Sequence, residues 1–92
     1  MFKLDKKDFN EDTINKIKRY LKDTLRFIET IDKDYTIYDI DLPEVNITFK
    51  IPKKIDYSKD TDRALISFQL ESLARAYSRD SKDLFDEIVN NY

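Results

Sequence analysis

Asp39 and Asp41 come nearer to a catalytic spacing than any other residues of this chain. They stand two positions apart in an alternating segment, so in a β-strand both would lie on one face, roughly 6.5–7 Å apart. Paired carboxylates can act as acid and base in glycoside hydrolysis. A polar strand face beside a turn explains the pair more simply, and a chain of 92 residues leaves little room for a deep pocket. We therefore expect that the protein is not an enzyme.

The residue types on which most active sites depend are absent from the sequence. It contains no histidine, cysteine or glycine, which removes the commonest general base, the thiolate nucleophile and the glycine-rich phosphate loops. The spacing Asp32-x-Asp34 resembles the start of a calcium loop, but Ile37 and Pro43 stand where such a loop needs glycine and glutamate. We expect no catalytic residue, no metal site and no cofactor.

The elements that would position these side chains begin with the segment 35–51, in which apolar residues recur every second position. Two alternating runs separated by Pro43 predict an antiparallel hairpin with strands at about 35–41 and 45–51. A shorter alternation at about 1–5 is compatible with a third strand, and a disordered terminus is the alternative. Because a two-stranded hairpin is only marginally stable in water, other segments must cover one of its faces.

Three segments have the apolar periodicity of amphipathic helices. The first is expected at about 11–31, after the N-cap residue Asn10, and two further helices are expected at about 60–77 and 81–91. The apolar seam of the first helix consists of Ile14, Ile17, Leu21, Leu25, Ile28 and Ile31. Since no linker divides the chain, we expect a single domain over 1–92. Its fold class would be α+β, with helices against one face of a small antiparallel sheet.

Charged residues are numerous and of mixed sign. Lysine and arginine number 17 and aspartate and glutamate 19, which gives a net charge of −2 at pH 7. No apolar stretch approaches the roughly 20 residues of a membrane span, and the first ten residues do not resemble a signal peptide. We expect no membrane partner and a cytoplasmic location, in the host cytoplasm if the protein is viral.

Binding of another protein is the function that the composition favours. Six tyrosines and six phenylalanines are many for a small core, and tyrosine is enriched at protein interfaces. Small acidic domains without cysteine are typical of phage and mobile-element accessory proteins, including inhibitors of host defence enzymes. We expect a module that inhibits or regulates a macromolecular partner, for example a host defence or nucleic-acid-processing complex. The candidate partner-binding residues are Tyr35, Ile37, Tyr38, Asp39, Asp41, Glu44, Asn46, Thr48, Lys50 and Tyr57.

Two other partners are compatible with the sequence. The first helix is rich in lysine and arginine, with Tyr20 and Phe27 interleaved, and aromatic rings can stack on bases. Nucleic-acid binding by this helix is therefore the alternative function, although acidic residues are mixed in and the net charge is negative. An open sheet edge, or the seam of the first helix, could also pair with a second copy of the chain.

Overall fold

The computed structural model of the chain describes residues 1–24 and 27–92. Its helices are α1 (Glu11–Thr24), α2 (Asp60–Ala76) and α3 (Ser81–Asn91), and its strands are β1 (Phe27–Ile31), β2 (Tyr35–Asp41) and β3 (Asn46–Pro52). A short 3-10 helix (Lys6–Asp8) precedes α1. The predicted α+β class is confirmed, with one helix before the sheet and two after it.

The three strands form one antiparallel sheet in the order β1-β2-β3. The predicted hairpin is the pair β2 and β3, and its second strand begins one residue later than expected. Residues directly opposite each other in a ladder project to the same face. Tyr38 and Phe49 therefore share one face, while Ile28, Asp39 and Thr48 share the other.

The third strand lies where the sequence predicted the end of the first helix. That prediction was wrong, because α1 ends at Thr24 and Phe27–Ile31 forms strand β1. The segment is built mainly of aromatic and β-branched residues, which favour a strand. Pairing with β2 then gives its backbone regular hydrogen-bond partners. Ile28 and Ile31 of the expected seam thus belong to the sheet, and Leu25 lies outside the described residues.

The prediction of a strand at 1–5 was also wrong, because this segment is not part of the sheet. This segment is held by side chains of α2: the Phe2 amide donates to Glu71 Oε1 at 3.1 Å, and the Leu4 amide donates to Ser67 Oγ at 3.0 Å. The Leu4 side chain is buried in the core. The apolar alternation of this segment therefore reports docking of an extended chain on a helix, which satisfies its amides without a neighbouring strand.

Polar side chains and one unusual backbone conformation set the boundaries of the helices. Asn10 Oδ1 accepts from the Thr13 amide at 2.9 Å, so α1 begins where it was predicted. Asp80 Oδ1 accepts from the Lys82 amide at 2.8 Å at the start of α3. Between α2 and α3, Ser78 has a φ of +55°. This left-handed residue ends α2 without a glycine.

The core lies between the helices and one face of the sheet. Helix α2 packs against both β3 and α3, and α1 packs against α3. Helix α2 is therefore the main cover of the hairpin. The largest fully buried side chains are Leu4, Ile17, Leu21, Tyr38, Ile40, Phe49, Ile51, Ile66, Leu70, Leu73, Leu84 and Ile88. Within the described residues, every helix is too short or too polar to cross a lipid bilayer.

Candidate protein-binding surface

One face of the sheet carries the buried residues of the strands, and the opposite face is largely exposed. We call the exposed face the outer face. It consists of Ile28, Thr30, Tyr35, Ile37, Asp39, Asp41, Asn46, Thr48 and Lys50. Seven of the ten residues predicted to contact a partner lie on it, because alternate positions of β2 and β3 project to the same side.

The other three predicted residues lie elsewhere. Tyr38 is only 1% exposed and belongs to the core, so its side chain cannot contribute to the outer face. Tyr57 lies in the connection between β3 and α2, where its ring packs edge-on against Phe9 with centroids 5.1 Å apart. Glu44 is exposed in the turn between β2 and β3, at the end of the sheet where Asp41 lies. Of the three, only Glu44 borders the outer face.

The sequence reasoning missed two residues of the outer face, Thr30 and, with greater consequence, Ile28. Its side chain is 70% exposed, although isoleucine is ordinarily a core residue. Ile28 stands opposite Asp39, two positions along the strands from the pair formed by Thr30 and Ile37. The strand propensity of the segment Phe27–Ile31 was the signal that could have revealed it. Ile28 and Ile37 together give the outer face an apolar centre.

Two carboxylates lie beside this apolar centre. Asp39 is exposed and its Oδ1 accepts a hydrogen bond from Thr48 Oγ1 at 3.0 Å. Within residues 1–24 and 27–92, neither Asp39 nor Asp41 forms a salt bridge, so both carboxylates keep free acceptor positions. Carboxylates of this kind form strong, charge-assisted hydrogen bonds with arginine and lysine.

The carboxylate end of the outer face is concave. A groove of about 580 Å³ opens there. It is lined by Phe27, Ile28, Asp39, Ile40, Asp41 and Asn46. At the opposite end of the outer face the Lys50 ammonium lies 5.9 Å from the centre of the Tyr35 ring. The outer face therefore has an acidic end and a basic end on either side of its apolar centre.

Behind the outer face, Tyr38 links the core to strand β1. Its ring packs edge-on against Phe27 with centroids 5.5 Å apart. Burial and, as the smaller cause, a hydrogen bond to the Glu29 carboxylate together raise the pKa of Tyr38 to about 12. The hydroxyl is therefore protonated at neutral pH and donates to Glu29. Tyr38 positions the strand that carries Ile28, and its role at the surface is indirect.

The basic residues of α1 were the basis of the nucleic-acid alternative, and two of them cap α3. Lys16 Nζ donates to the Val89 carbonyl at 3.1 Å. Arg19 donates to the main-chain oxygen of Tyr92 through Nε at 3.1 Å and Nη2 at 2.7 Å. Cations at a helix C-terminus stabilise its carbonyl groups. These two side chains therefore have an intramolecular role that competes with phosphate binding.

The aromatic residues of that alternative do not form a stacking surface on α1. Tyr20 is 3% exposed and packs edge-on against Tyr92 with centroids 5.6 Å apart. Burial raises the pKa of Tyr20 to about 12. Phe27 belongs to β1 and is half-buried. Neither ring is fully exposed, as a ring on which a base stacks would have to be.

Within the part of the chain that the structure describes, no group of three or more acidic side chains is arranged to hold a metal ion. Comparison with known proteins adds no functional information. No family model matches the chain, and searches of curated proteins and of solved structures find no match. The candidate surface therefore stands on its geometry and chemistry.

Proposed function

We propose that this protein is a non-enzymatic protein-binding module that inhibits or regulates a macromolecular partner through its outer face. The observation that carries the proposal is the position of Ile28, 70% exposed beside the carboxylates of Asp39 and Asp41, neither of which forms a salt bridge with the residues that the structure describes. An exposed apolar centre with a polar border is the usual anatomy of a protein interface. In a free monomer, an exposed isoleucine forgoes the free energy that burial of its apolar surface would provide.

The chemistry of the surface defines the partner. Burial of Ile28 and Ile37 requires an apolar side chain on the other protein, and desolvation of Asp39 and Asp41 requires arginine or lysine beside it. A basic, partly apolar patch of this kind occurs on many proteins that act on nucleic acids. By covering such a patch in the cytoplasm, the domain would block the partner's own substrate, as expected of a phage or mobile-element inhibitor.

The test is capture of the partner from lysate of the source cells, or of host cells if the protein is viral. The bait would be the full chain, and captured proteins would be identified by mass spectrometry. The surface variant is the double charge reversal D39K/D41K. The control is D5K/D86K, which changes the net charge equally at two exposed positions away from the strands. Thermal unfolding of both variants verifies that they fold.

We expect stoichiometric capture of one protein by the wild type and by D5K/D86K, and at least tenfold weaker capture by D39K/D41K. Absence of a stoichiometric partner, or equal capture by both variants, would overturn the proposal. Titration of labelled DNA and RNA at low salt tests the alternative. Binding that weakens steeply as the salt concentration rises would assign the function to the basic residues instead.

A further inference from the structure

The two edges of the sheet differ in how their backbone groups are satisfied. On β3, the Lys50 amide donates to Gln69 Oε1 at 2.7 Å, and the Lys50 carbonyl accepts from Gln69 Nε2 at 2.9 Å. Two residues further along the same edge is Pro52, which has no N–H to offer a neighbouring strand. Helix α2 and a proline therefore close this half of the β3 edge.

The β1 edge is open. The Asp32 amide donates to the Tyr35 carbonyl at 2.9 Å, so the hydrogen-bonded pairs between β1 and β2 include Thr30 with Ile37. Because such pairs alternate in an antiparallel ladder, the N–H and C=O groups of the intervening residue Glu29 point away from β2. The same holds for its neighbours Phe27 and Ile31. Within the described residues, no strand lies on that side.

The side chains of β1 do not protect this edge. Natural edge strands usually carry lysine, proline or a bulge that discourages pairing. In β1 the only charged residue is Glu29, and Ile28 and Ile31 are 70% and 71% exposed. Their odd spacing puts these two isoleucines on opposite faces of the strand. A strand added at this edge would therefore gain apolar contacts on both faces.

We propose that β1 pairs with β1 of a second copy of this chain, antiparallel, to form a continuous six-stranded sheet. The charges at the two ends of the sheet are the reason for this choice of partner and direction. One end carries Asp39, Asp41 and Glu44; at the other, Lys33, Lys50, Lys53 and Lys54 outnumber Asp32, Asp34 and Asp62. Antiparallel pairing places unlike ends side by side, whereas parallel pairing would place like ends together.

The register that fits best has its two-fold axis at Thr30. Glu29 then exchanges both backbone hydrogen bonds with Ile31 of the second copy, and the reciprocal pair does the same. Thr30 faces its own counterpart on the outer side, and threonine pairs are favourable across strands. A register centred on Glu29 would place two like charges directly opposite each other, which is destabilising.

In this register residues 29–31 of the two β1 strands lie opposite each other, and Ile28 lies opposite Asp32 of the second copy. Such an interface lies below the roughly 1,200 Å² at which stable complexes begin. We therefore expect a reversible dimer that dissociates in the micromolar range. Sedimentation velocity between about 5 and 500 μM covers that range. The sedimentation coefficient should rise with concentration toward the value for twice the chain mass.

Cysteine cross-linking tests the register. The chain has no cysteine, so a single introduced thiol reports one contact. In the proposed register, T30C would place two Cα atoms about 4.5–5.5 Å apart, within the range for a disulfide. Controls are F68C, on a residue of α2 that is 65% exposed, and I28C. Rapid oxidation of T30C alone to a covalent dimer supports the proposal; equal oxidation of F68C, or preferential oxidation of I28C, overturns it.

A second variant removes the outward hydrogen bond. The Ile31 N–H is not used by β2, so I31P deletes a donor of the open edge while leaving the ladder with β2 intact. We expect I31P to remain monomeric up to about 500 μM, the highest concentration tested. Its Tm should be near that of the wild type. Dimerisation of folded I31P, or a wild type that is monomeric throughout, contradicts the proposal. The inference goes beyond the proposed function, and D39K/D41K, which reverses the charge at one end of the sheet, should slow T30C cross-linking at low salt.

Discussion

The side-chain amide of Gln69 forms both main-chain hydrogen bonds of Lys50, at 2.7 and 2.9 Å. One residue of helix α2 thereby replaces a neighbouring strand at the edge of β3. Gln69 is 6% exposed, so its amide is satisfied by this contact in an otherwise apolar setting. The contact joins the helical layer to the sheet through the backbone, where side-chain packing alone would leave polar groups unpaired.

Replacement of Gln69 by methionine keeps the side-chain volume and removes both hydrogen bonds. We expect Q69M to lower the free energy of unfolding by about 1–3 kcal/mol, because the part-buried Lys50 groups lose their partners. Q69E should be destabilised at neutral pH, since its carboxylate cannot donate to the Lys50 carbonyl, and should recover in part when protonated. Urea denaturation measures both, and wild-type stability of Q69M would contradict the role given to Gln69.

Ser78 should be replaceable by glycine with a gain in stability. Its φ of +55° is in the left-handed region, which is costly for every residue with a Cβ. S78G removes this cost, but glycine is also more flexible in the unfolded chain, which offsets part of the gain. The free energy of unfolding should therefore rise by about 0.5–1 kcal/mol. S78A, which keeps the Cβ, is the matched control and should show no comparable gain. Thermal unfolding of the three proteins decides between these outcomes.

The N-cap of α1 gives a third prediction. Asn10 Oδ1 accepts from the Thr13 amide at 2.9 Å, and alanine cannot replace this bond. N10A should lose about 1 kcal/mol of stability, whereas N10D and N10S should lose much less because both offer a capping oxygen. Chemical denaturation of the set measures the differences. Equal losses in all three variants would mean that the cap is not the source of the effect.

Alkaline pH should weaken the fold through Tyr38. Burial and the Glu29 hydrogen bond raise the pKa of Tyr38 to about 12, above the value of about 10 for an unfolded chain. The folded protein therefore holds this proton more tightly than the unfolded one. The stability that results from this difference is fully present below about pH 10, where both states hold the proton. It is lost as the pH rises from about 10 toward 12.

The variant Y38F isolates this residue from Tyr20, whose pKa is also raised to about 12. At pH 8, Y38F should be less stable than the wild type by about 0.5–1.5 kcal/mol, the usual value of one hydrogen bond. The difference should shrink as the pH rises above 10. Urea denaturation at successive pH values gives the free energy of unfolding of both proteins. A constant difference between them up to about pH 11.5, near the folded-state pKa, would refute the assignment.

Much of the candidate surface could be predicted from the sequence because strand alternation is a local property. The two-residue period of β2 and β3 assigned seven of the predicted residues to one face, and the structure places them together. Tyr38 was chosen for its residue type, although its parity in β2 assigns it to the buried face. Ile28 was not predicted at the surface because it lies three residues before Ile31. This spacing fits one face of a helix as well as it fits the two opposite faces of a strand.

The sequence alone determined the α+β class, the hairpin and the starts of the helices, since these depend on apolar periodicity and capping residues close along the chain. Tertiary structure decided what Phe27–Ile31 becomes, because hydrogen bonds to β2 outweigh a helical seam that local periodicity cannot exclude. It also decided which sheet edge stays open. Gln69 and Lys50 are 19 positions apart, and only the packing of α2 on β3 brings the amide to the backbone that it closes.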